Sequence, residues 1–124
     1  MESTRMDTNR WSQDLSTFTE RNNARMIDIQ VLTEDLGAQT EVRQMKLQGA
    51  TFDHHDGRVD IMVRGADQSH LTHTIGGVTD VEVIVAPRGR GDILSIEHEG
   101  GRTIVRPSLR PSLNVPGYSR PDVS

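Results

Sequence analysis

The chain has 124 residues, a net charge of -4 and no cysteine. That length suits a single domain able to bury a core without cross-links, and the missing cysteine excludes disulfide frameworks, thiolate metal sites and cysteine nucleophiles. Charge is uneven: residues 1–87 hold 8 basic and 14 acidic side chains, whereas residues 88–124 hold six arginines against four acids. Trp11, Phe18, Phe52 and Tyr118 are the only aromatic residues, too scattered to form the stacking platform of a single-strand binder, so nucleic acid is not the expected partner. The N-terminus lacks the apolar core of a signal peptide and no apolar run approaches a membrane span. A soluble cytoplasmic protein, with peripheral attachment to a larger complex as an option, is the expectation.

Residues 1–8 read as a polar lead-in. Thr8 or Asn9 can cap a helix by accepting an orphan amide of its first turn. Trp11, Leu15 and Phe18 then recur at i, i+4 and i+7 and give the helix one apolar face, while Gln13, Asp14, Thr17 and Glu20 face water. Arg21 to Asn23 ends it.

From Met26 to Leu32 the period changes to 2, with Ile27, Ile29 and Val31 alternating with Asp28 and Gln30, which is the pattern of a half-buried strand. Glu34 to Gly37 is a turn. A second strand starts near Gln39, and its apolar phase flips between Val42 and Met45, predicting a bulge or bend at Gln44. Gly49 offers a further bend before a short third strand, Ala50 to Phe52. The turn Asp53-His54-His55-Asp56-Gly57 closes a hairpin with Arg58 to Arg64. Residues 65–77 could be a loop, one helical turn from Asp67 to His73 or a short strand, and read best as a helical turn or loop. Strands over Asp80 to Ala86, Ile93 to His98 and Thr103 to Arg106 follow, joined by Gly- and Pro-containing turns. The Arg-Gly-Asp triplet at 90–92 reads as a turn rather than a recognition motif.

The expected fold is therefore α+β, mainly β: an N-terminal amphipathic helix, then an antiparallel meander of six or seven short strands curled into a small barrel or strongly bent sheet. The domain spans residues 9–106. Residues 107–124 form an extended tail whose prolines forbid a regular helix or central strand.

Three features together resemble a family of short bacterial proteins known as a domain of unknown function, numbered 5335: LGAQ at 36–39, KLQGATFD at 46–53 and HLTHTI at 70–75. A tryptophan-bearing helix precedes them and a strand like VEVIV follows. The family's pattern has a proline after HLTHTI, where this chain has Gly76 and Gly77. The resemblance implies a compact bacterial β-rich domain and carries over no catalytic or binding residue.

Two groups of residues are candidate sites. On a helical turn, His70 and His73 at i, i+3 would share a face and ligate a divalent metal, with Asp53, His54, His55 or Asp56 completing the set if the hairpin folds back; an open coordination position would then activate a hydrolytic water. On a strand the two imidazoles would face opposite ways. In the tail, Arg106, Leu109, Arg110, Leu113, Tyr118 and Arg120 resemble a segment that settles against a protein surface. The leading expectation is a non-catalytic accessory or interaction subunit that docks on a protein partner, or on a second copy, through the tail and the β-domain. No cofactor is expected, a divalent metal belonging only to the enzymatic alternative. A histidine-based pH or ligand sensor, which would need a buried imidazole with shifted titration, ranks third.

Overall fold

The computed structural model describes residues 8–87 and 91–108. It consists of one helix and seven antiparallel strands: α1 (Thr8–Asn22), β1 (Met26–Thr33), β2 (Gly37–Asp53), β3 (Arg58–Arg64), β4 (His70–Ile75), β5 (Val78–Ile84), β6 (Ile93–His98) and β7 (Gly101–Pro107). The helix begins at Thr8, so Asn9 lies in its first turn rather than at the cap. Trp11, Leu15 and Phe18, the stripe expected from the sequence, are all buried.

The strands hydrogen-bond in the order β4-β3-β2-β1-β7-β6-β5. β1 is the middle strand, flanked by the hairpin partner β2 and by β7, whose Val105 lies opposite Ile29. The two edge strands, β4 and β5, are consecutive in the chain and only Gly76 and Gly77 separate them. A connection that short requires the edges to lie near each other at that corner, so the sheet curls into a half-barrel that stays open between them. Gly77 makes the turn at φ 64°, a conformation glycine adopts without penalty. The carbonyl of Gly57 accepts from the Val78 amide, tying the β2–β3 turn to the start of β5.

Two sequence expectations are corrected here. The segments Gln39–Leu47 and Ala50–Phe52 are not separate strands but parts of one strand of 17 residues. Irregular pairing bends it: β2 places two residues, Arg43 and Gln44, opposite Asp28, and Gln44 has φ 54°. The Asp28 carboxylate accepts the Gln44 amide at 2.8 Å, which compensates the broken ladder. Glu41 is an extra residue at a second slip, between the Ile29–Val42 and Gln30–Thr40 pairs, and a third lies between Leu47 and Gly49. The bend expected at Gln44 is present, but the strand continues through it.

The second correction concerns residues 67–73. The helical turn is absent; from His70 the chain is strand β4, with His73 opposite Ile61 and Ile75 opposite Val59. Its polar sequence is compatible with an edge strand exposed over most of its length.

The core lies between α1 and the concave face. Leu15 and Phe18 are buried there with Ile27, Ile29, Leu47, Ile61, Leu94, Ile96 and Val105. At the start of α1 the Trp11 ring meets Phe52 edge-to-face, centroids 5.3 Å apart. At its end the Ala24 amide donates to the Leu47 carbonyl.

Candidate functional site

The histidines do not converge. Strand geometry sends His73 to the face of Ile61, half-buried, and His70 to the opposite, exposed face, where its Nδ1 lies 2.9 Å from Gln48 Oε1. The shared face that metal ligation required is thus missing. Asp53 serves its own turn: its Oδ1 accepts the amides of His55 and Asp56, and these bonds hold its carboxyl below the ordinary value. His54 meets Ser12 Oγ at 2.9 Å and stacks edge-on against Phe52. His55 is exposed. Among the described residues no group of three or more His, Cys, Asp or Glu side chains is placed to hold a metal ion.

His73 has a distinctive setting. Burial lowers its titration below the ordinary value; the charge of Glu41 opposes that shift and His98 adds to it.

A polar knot that sequence reasoning missed secures the other end of α1. Asp92 is 2% exposed, and both its oxygens are engaged by Arg21, Nε at 2.6 Å and Nη2 at 3.0 Å. It also accepts from Asn22 Nδ2 and the Ala86 amide, while its own amide donates to Asn22 Oδ1. Arg21 is the main cause that holds the Asp92 carboxyl far below the usual carboxylate range. The sequence showed Asp92 only as the last residue of a Gly-rich turn. Its one legible signal was an acid flanked by an apolar strand.

This knot and the β2–β3 turn fix the geometry of a groove. α1 starts beside Phe52 and His54, and β5 starts beside Gly57. Both finish at Asp92, through Arg21 and Ala86. The helix and the edge strand thus run side by side in the same direction and enclose about 490 Å³. Trp11, Thr17 and Phe18 line the helix side, and Val81, Val83 and Val85 the strand side. Val85, at the end of this wall, is 64% exposed, and the neighbouring Ile84 is 47% exposed. Arg10 faces Asp14 and Arg21 holds Asp92, whereas Asp80 and Glu82 have no ion-pair partner among the described residues. The groove is a mixed polar and apolar cleft beside an unpaired strand edge, lined by Arg10, Asp14 and Arg21 on the helix and by Asp80 and Glu82 on the strand as well as by valines.

The tail candidates fall mostly outside the described residues: Leu109, Arg110, Leu113, Tyr118 and Arg120 all do. Arg106 is half-buried on β7, opposite Asp28.

The family of unknown function DUF5335 matches residues 2–116. The chain belongs to this family. The match covers the helix, all seven strands and the start of the tail, and it brings no assigned activity. No curated protein and no solved structure matches the chain. No helix among the described residues is long and apolar enough to cross a membrane.

Proposed function

We propose that this DUF5335 domain is a non-catalytic interaction module, an accessory subunit that docks on a protein partner through the β5 edge, the groove beside it and the C-terminal tail. The observation that carries this reading is the free edge of β5, beside a groove whose strand wall includes Val83 and the exposed Val85, with Ile84 exposed next to it. A free edge offers backbone donors and acceptors to an extended segment, and the slot beside it offers pockets for alternate side chains. The hydrolytic alternative through His70, His73, Asp53 and His55 loses its support with the strand geometry of β4.

The test is a photo-crosslinking amino acid placed at Ile84, and for comparison at His55, in the full-length protein in its native host. Adducts to a discrete protein from residue 84, absent from residue 55 and reduced by Glu82→Lys, are the expected result. No adducts from residue 84, or the same adducts from both positions, would contradict the reading.

A further inference from the structure

Strand pairing places basic side chains in a row across β2, β3 and β4. Lys46 lies directly opposite Arg64, and Arg64 directly opposite His70. Leu47, Val63 and Ile75 are buried in the core, so by alternation Lys46, Arg64 and His70 all stand on the outer face. The Cβ atoms of residues opposed in this way are about 5 Å apart, and like charges so placed repel. Lys46 is the only lysine in a chain of net charge -4, yet it stands beside an arginine.

No carboxylate relieves the pair. Neither Lys46 nor Arg64 has an ion-pair partner among the described residues. Arg64 Nη1 donates to the neutral Gln68 Oε1 at 3.3 Å, and its Nε is buried with no hydrogen-bond partner among the described residues. The acids nearest to Arg64 in the sequence are used elsewhere. Asp60 faces Arg58 and the Thr74 hydroxyl, and Asp67 accepts the amide and the hydroxyl of Ser69 within the β3–β4 turn. A half-buried guanidinium therefore keeps its charge with nothing to neutralise it.

These residues border a pocket of about 250 Å³ lined by Asn23, Ala24, Lys46, Leu47, Gln48 and Arg64, with no acidic residue among them. The Gln48 side-chain oxygen meets His70 Nδ1 at 2.9 Å, which leaves its NH2 group as a donor. A phosphate group matches this set. The guanidinium offers N–H donors in a planar fork and the ammonium a compact second charge, whereas a lone carboxylate would leave one cation unmatched.

We propose that Lys46 and Arg64, assisted by Gln48 and with His70 at the rim, bind a phosphate group, carried by a small phosphomonoester or as the free ion. The pocket shares no residue with the groove beside β5, so this site goes beyond the docking reading and stands without it. An anion bound here removes the repulsion between the two cations and stabilises the folded state by mass action.

The test is an NMR titration of the full-length ¹⁵N-labelled protein with inorganic phosphate, glycerol phosphate and acetate at constant ionic strength. The two phosphates should give saturable shifts at the amides of Lys46, Leu47, Gln48 and Arg64. Lys46→Gln and Arg64→Gln should each weaken binding about tenfold, as the loss of one charge-assisted hydrogen bond implies. Arg102→Gln should leave binding unchanged, because Arg102 already meets Glu97. Spectra without ligand show that each variant keeps the fold. As a second readout, phosphate should raise the urea midpoint of the wild type above its value in chloride at equal ionic strength, and raise that of Lys46→Gln less.

Tighter binding of glycerol phosphate identifies a phosphomonoester, and tighter binding of phosphate the free ion; both keep the site. Shifts that fail to saturate, acetate binding as tightly as phosphate, or Lys46→Gln and Arg64→Gln binding as well as the wild type would overturn it.

Discussion

Asp92 shows how one side chain can hold an element in place. Five hydrogen bonds meet at this residue, four on its carboxylate and one from its own amide, and they fasten the end of α1 to the chain entering β6. Asp92→Ala would strip a partner from Arg21, Asn22 and the Ala86 amide together. A loss of about 3 kcal/mol follows from leaving buried donors unmet, moderated because Arg21 is 45% exposed. Equilibrium urea unfolding would measure it. Since the folded-state pKa of Asp92 is depressed, its contribution is complete above the ordinary carboxylate range and disappears as the pH falls through that range toward the folded value. Asp92→Asn should therefore flatten the acid limb of the stability curve. His73 works in the opposite direction. Its depressed pKa means that the folded state resists protonation, so stability declines as the pH drops through the ordinary histidine value of 6.5. His73→Gln should remove that decline, while His70→Gln leaves it in place; stability measured from pH 8 to pH 5 distinguishes them. Neither role was legible in the sequence. Asp92 gets its meaning from Arg21, 71 positions earlier, and His73 from a strand register that its polar neighbours disguised.

At the scale of elements, the sequence was most legible where burial is one-sided and regular. The Trp11, Leu15, Phe18 stripe marked α1, and the alternations read from Met26 to Leu32, Arg58 to Arg64 and Asp80 to Ala86 marked β1, β3 and β5, the last of which runs two residues earlier at both ends, Val78–Ile84. Leu15 is wholly buried, so Leu15→Ala should cost about 3 kcal/mol as a cavity opens under the helix, visible as a lowered urea midpoint. β4 was misread for a physical reason: at an edge, little of the strand is buried, and Ser69-His70-Leu71-Thr72-His73-Thr74 has no clean alternation to betray it. β2 was divided in two because its bulges reverse the apolar phase, and phase is all that a sequence displays. The β6–β7 turn has a steric demand of its own. A Cβ on Gly101 would collide with the Leu32 carbonyl oxygen across the β1–β7 pair. Gly101→Ala should thus destabilise by about 2 kcal/mol, the cost of overpacking that forces backbone to move, and the same unfolding experiment would show it.

For the whole molecule, the decisive feature is how the sheet's ends are arranged. Local pattern predicted an antiparallel meander, and the meander is there, but pattern alone could not say that β7 returns to pair with β1 or that β4 and β5 end as neighbours across a gap. Those pairings depend on contacts far apart in the chain. They also determine where a site can form. The curl leaves β5 with one free edge, α1 supplies a wall, and Asp80 and Glu82 supply charge. The histidines that looked like a site are instead distributed over both faces of β4 and the β2–β3 turn. The most direct test of this account is to recover tagged full-length protein from its native host in three forms: wild type, the edge variant Glu82→Lys with Ile84→Asp, and the histidine variant His70→Ala with His73→Ala. The proteins that accompany each would be compared at matched abundance. The account predicts a partner common to wild type and the histidine variant and missing from the edge variant; retention by the edge variant, with loss from the histidine variant, would contradict it.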